Sequence, residues 1–123
     1  MTGIDTDKVL ALFLRLSGYP KERRNEFDEI VENAVDYISR RVKNASESDM
    51  TRIELACAAV AIYDNTVLKL ANDKSLCTID GKQMVNYKDT EQYKYAYCFR
   101  SNALAAISDI CEDSTFAFAA IEG

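Results

Sequence analysis

Residues 55–63 read LACAAVAIY, a stretch with no charged side chain and with small residues at Ala56, Cys57, Ala58, Ala59 and Ala61. A helix that is apolar all round is buried on several sides, so the chain must supply other elements to cover it. Ser48 or Asp49 can cap this helix, and its pattern extends to about Asn72. The Ala and Cys positions let neighbours approach closely. The reading that follows is a central helix with the remaining elements packed around it.

The covering elements are legible on both sides. Phe27, Ile30, Val31, Ala34, Ile38 and Val42 share one face at helical spacing, opposite Glu29, Glu32, Asp36, Arg40 and Lys43, which predicts an amphipathic helix over about Lys21 to Val42. Its polar face is mixed in sign, so it reads as core-facing and not as a membrane-surface helix, which needs a cationic face. Before it, Thr6 or Asp5 can cap a short helix from about Asp7 to Ser17, with Val9, Leu10, Phe13, Leu14 and Leu16 apolar around much of its circumference and Gly18, Tyr19 and Pro20 ending it. Such a helix is unstable alone and must be covered by its own domain or by a neighbouring subunit.

Downstream of the central helix, Asp80 and Gly81 form the preferred pair for a two-residue type I′ turn, so Ser75 to Lys88 predicts a β-hairpin with arms Leu76–Ile79 and Lys82–Tyr87. Ile79, Met84 and Tyr87 on those arms are candidate interface residues, because an isolated hairpin is marginal in water and must lean on something. Thr90 caps a last helix predicted from about Glu91 to Cys111, and Asp113 and Ser114 break it. Beyond it lies an extended segment in a C-terminal extension, residues 114–123. Phe116 and Phe118 fall on one side of that chain, with Ile121 following, and these three complete the candidate interface set. Tyr87, Tyr93, Tyr95 and Tyr97 cluster in sequence; Tyr93 and Tyr97, at i and i+4, can face the core while Tyr95 points elsewhere, or the group can serve an interface. The fold class is mainly α: a small helical bundle of about four helices in a single domain over 1–123, with a hairpin at about 75–88.

Composition excludes several functions. At 123 residues there is room for one core. A net charge of −5 supplies no basic field for phosphate backbones; Lys21, Arg23 and Arg24 are interrupted by Glu22 and read as a solvated helix start. No run approaches the roughly 20 apolar residues of a membrane span, and the start lacks a secretory pattern, so the expected compartment is cytosolic. With no His and no C-x-x-C pair among Cys57, Cys77, Cys98 and Cys111, no metal site is expected, and Cys57 and Cys98 read as small buried residues. Nucleophilic catalysis lacks its usual base, the four glycines are too scattered to cradle a phosphate, and acidic pairs such as Glu29 with Glu32 or Asp109 with Glu112 arise by chance among 20 carboxylates. The expectation is a non-enzymatic protein with no cofactor that works by binding other protein surfaces.

The order of elements, with FDEIVENAVDYISRRV, the alanine-rich IELACAAVAIYDNTVLKL, a hairpin, and a close in ISDICEDSTFAFAAI, resembles the small head-tail connector (adaptor) proteins of tailed bacteriophages and prophages. The resemblance is one of pattern over nearly the whole chain. It implies a homo-oligomeric, commonly dodecameric, ring in the virion neck that docks on the portal protein and offers its far side to a tail terminator or stopper protein. DNA would be only passing cargo, and no membrane would be involved. It implies that the hairpin around Asp80 and Gly81 and the segment Thr115–Ile121 reach neighbours. Two other readings compete: a tail-completion or collar protein of a phage-like particle, and a cytosolic helical regulator that binds one partner as a monomer or dimer.

Overall fold

The computed structural model describes residues 3–73 and 86–111. Within them the chain forms four α-helices: α1 (Thr6–Ser17), α2 (Asp28–Ser39), α3 (Met50–Ala71) and α4 (Glu91–Ala105). The described residues contain no β-strand. Asn86 is extended and Tyr87–Asp89 is a 3₁₀ turn, so Tyr87 and Lys88 do not end a hairpin arm; the rest of the expected hairpin lies outside the described residues, as does the segment after Cys111.

α3 is the central helix. It packs against α1, α2 and α4, and Ile53 and the run Ala56 to Ala61 are buried. Small side chains there bring the partner helices near the α3 backbone, and the larger ones of those partners fill the space: Phe13 and Val9 from α1, Ile38 and Val31 from α2, and Leu104 from α4 are almost fully enclosed.

Asp5, not Thr6, caps α1, accepting from the Asp7 and Lys8 amides at 3.0 and 3.4 Å. Gly18 closes that helix in the left-handed conformation, φ 77°, which only Gly adopts freely. Val9, Leu10, Phe13 and Leu14 are buried within the same chain, which leaves Leu16 46% exposed. α1 is therefore covered by its own domain.

The second helix is shorter than its periodicity suggests. Lys21–Glu26 is a 3₁₀ helix, and α2 begins only at Asp28. KERRNE carries no apolar residue to bury, and Arg23 grips Glu26 with two hydrogen bonds of 2.8 and 2.9 Å across the i,i+3 spacing that a 3₁₀ turn eclipses. Phe27 then anchors the chain, its ring 5.0 Å from that of Phe13 and 4.6 Å from that of Tyr19. α2 stops at Ser39, yet Val42 remains buried.

α4 also ends early, at Ala105, followed by a 3₁₀ turn at Ser108–Ile110. Arg52 explains the break. Its guanidinium donates to the Ala106 carbonyl, forks onto both Asp109 carboxylate oxygens at 2.7 and 3.1 Å, and holds Asp49 at 2.6 Å. The Ser46–Asp49 capping box presents Asp49 to it. Beyond the turn, Cys111 makes an antiparallel bridge with Val42, and the Lys43 amide donates to the Ile110 carbonyl at 2.9 Å. The connection between α2 and α3 is thus tied to the end of α4.

Candidate protein-binding surfaces

Of the candidate interface residues, only Tyr87 is described; Ile79, Asp80, Gly81, Met84, Phe116, Phe118 and Ile121 lie outside the described residues. Tyr87 belongs to an aromatic cluster. Thr90 Oγ1 caps α4 by accepting from the Tyr93 amide at 3.2 Å, which sets the helix so that Tyr93 and Tyr97 lie one turn apart. Both meet Tyr63 of α3, with ring centroids at 5.7 and 6.5 Å, and the Tyr63 and Tyr93 hydroxyls are 3.1 Å apart. Tyr87 adds its edge to Tyr93 at 5.6 Å. Burial, helped by the hydrogen bond with Tyr93, pushes the Tyr63 hydroxyl above the ordinary tyrosine pKa.

All four rings are half-buried, so the cluster faces α3 on one side and the surface on the other. The core-facing and interface alternatives for Tyr93 and Tyr97 are both partly realised, while Tyr95 points away and is 75% exposed. Arg100, one turn beyond Tyr97, extends the cluster. Its guanidinium lies 5.2 Å from the Tyr63 ring and 5.8 Å from that of Tyr37, which also carries Arg41 at 3.8 Å. Arg100 Nε is buried and has no hydrogen-bond partner among the described residues. Nothing in the sequence pattern singled out Tyr63 or Arg100; the available signal was that Arg100 continues the Tyr93, Tyr97 face at helical spacing.

A second surface is a groove of about 890 Å³ between α1 and the start of α3. Leu10, Ala11, Leu12 and Leu14 give it an apolar floor, with Thr51 and Glu54 of α3 on its far wall. Lys8, Arg15, Lys21 and Arg24 surround that floor, against the acids Asp7 and Glu54, so the groove is locally cationic on an acidic chain. Arg24 and Asp7 pair at 3.6 Å. Sequence reasoning read Lys21 and Arg24 as a solvated start and did not connect them to α1.

Next to this groove, Tyr19 ties α1 to α3. Burial alone would raise its pKa, but hydrogen bonds from Asn65 Nδ2 and Lys69 Nζ, both 3.2 Å, together with the nearby Lys69 and Arg23 charges bring it below the ordinary value.

The cysteines divide differently from the sequence expectation. Cys57 is buried in α3, and burial pushes its thiol up to about 12. Cys98 is exposed on α4, whose apolar periodicity is too weak to show from the sequence which face is buried. Among the described residues no group of three or more His, Cys, Asp or Glu side chains is placed to hold a metal ion, and no helix is long and apolar enough to cross a membrane. Compared with family models, curated proteins and solved structures, the chain matches none of them.

Proposed function

We propose that this chain is a non-enzymatic structural subunit of a phage neck ring, joining the portal to the tail and forming part of the DNA conduit. The observation that carries the reading is the pair of dissimilar surfaces on one small bundle: the half-exposed Tyr63, Tyr87, Tyr93, Tyr97 and Arg100 cluster, and the cationic, leucine-floored groove on α1, which shares no residue with it. A ring closes through heterologous contacts, so each subunit needs two different patches. Tyrosine and arginine are the residue types that most often dominate interface energetics, and a partner's acceptor would satisfy the buried Arg100 Nε. The pattern resemblance to head-tail connectors supplies the biological setting, the virion neck. In that reading the hairpin at 75–88 and the segment 115–121 are the reaching parts, and the net charge of −5 suits a conduit that must not retain DNA.

The test is the solution mass by light scattering after size exclusion, for the protein alone and mixed with a candidate portal. A large closed oligomer, alone or on the portal, is expected. A monomer or dimer indifferent to portal refutes the neck reading and favours a cytosolic helical regulator.

A further inference from the structure

We propose that the groove between α1 and the start of α3 is the seat of residues 112–123 from a second copy of this chain. The inference rests on the assembly reading above and names the contact that would build it.

Charge selects the occupant first. The groove gathers Lys8, Arg15, Lys21 and Arg24 against Asp7 and Glu54, four cations to two anions, in a chain where acids outnumber bases 20 to 15. Residues 112–123 carry Glu112, Asp113 and Glu122 and no basic residue. A net charge of about +2 thus meets one of about −3. Shape selects it again. In extended chain Phe116 and Phe118 project to one side about 7 Å apart, a spacing matched to a floor built from Leu10, Ala11 and Leu14.

Topology decides between the chain's own segment and a neighbour's. The described chain ends at Cys111, bridged to Val42 and held by Arg52 through Asp109. On α3 each residue turns about 100°, so Thr51 and Glu54, which wall the groove, point about 100° and about 160° away from Arg52. The last described residues therefore stand on the Arg52 side of α3 and not on the side of their own groove. Twelve residues reach about 40 Å, ample for an adjoining copy. One copy gives its segment and receives another's in its groove, which is the head-to-tail geometry that closes rings.

The experiment uses two one-sided full-length variants. Ala11→Trp fills the groove from an exposed position of α1, and Phe116→Asp/Phe118→Asp disables the segment. Wild type should associate at concentrations up to about 1 mM. Each variant alone should run as a monomer, and an equimolar mixture should give a one-to-one dimer that grows no further, because one good groove meets one good segment. Raising salt should weaken it. If Ala11→Trp loses its helical circular-dichroism signal, Arg15→Glu takes its place. Variants that assemble like wild type, a mixture that stays monomeric, or a wild type monomeric throughout would each overturn the docking. A portal complex that forms with both variants still assembling would sink this inference while leaving the neck reading intact.

Discussion

Phe13→Ala measures whether α1 is held by its own domain. Phe13 has no exposed surface and packs against the Phe27 and Tyr19 rings at 5.0 and 6.1 Å. Truncating a fully enclosed Phe loses the transfer energy of the ring and leaves a cavity, about 4 kcal/mol in all. At roughly 2.1 cal/mol/K per residue, 123 residues give an unfolding entropy of about 0.26 kcal/mol/K, so the midpoint should fall by about 15 °C. Leu16 on the same helix is 46% exposed, so Leu16→Ala removes only about half of the burial energy of three methylene equivalents, about 1 kcal/mol and about 4 °C. The assay is urea and thermal unfolding followed by far-UV circular dichroism over an about 100-fold range of protein concentration. If α1 instead belonged to a neighbour, the Phe13→Ala loss would depend on concentration. That dependence, or a Leu16→Ala loss as large as that of Phe13→Ala, would refute the packing argument.

Five further outcomes are expected. In Arg52→Met, amide exchange at Lys43 and Asn44, which donate to the Ile110 carbonyl, should accelerate because the turn after α4 loses its tie. Asp49, through the Ser46 amide and then Arg52, and Asp109, through Arg52, are held below the ordinary aspartate pKa. Groups with depressed folded values stabilise fully above the unfolded value of about 3.9 and lose that contribution as pH falls through the folded one. The urea midpoints of wild type and Arg52→Met should therefore differ by a constant amount at neutral pH and converge in acid below that value; an unchanged gap there would refute the pairing. Tyrosine absorbance titration should show Tyr19 ionising before Tyr63, with Lys69→Met moving Tyr19 upward. A chromogenic disulfide reagent should label Cys98 at once and Cys57 only on unfolding; early Cys57 labelling would show α3 less enclosed than described. Deleting residues 115–123 should leave the helical signal intact, since Phe13, Ile38, Ile53 and Leu104 of the four helices already enclose one another in the core; loss of that signal would make the segment part of the core.

Helices were legible where burial on one side left a periodic trace. The face Phe27, Val31, Ala34, Ile38 and the apolar α3 run sit where their spacing places them. Boundaries were not, for a physical reason. Ile107 and Ile110 stand three residues apart, a spacing that suits a 3₁₀ turn as well as an α-helix, and both are buried either way. Only Arg52, distant in sequence, decides which turn forms. Val42 is the same case: it is buried where Cys111 bridges it and not because α2 reaches it.

The interaction surfaces are harder to read because they are made between elements. Tyr93 and Tyr97 announce a face, but what that face touches depends on Tyr63 arriving from α3 and meeting Arg100 one turn further along α4. Lys21 and Arg24 look solvated in a local window and become one wall of a groove only when Gly18 turns the chain back along α1. The same turn has a cost that points to use. It leaves four cations around a leucine floor, where like charges oppose one another and apolar surface stays wet. A bundle that needed only to fold could have placed acids there. An acidic, phenylalanine-bearing segment docked there would remove both penalties at once, and residues 112–123 have that composition.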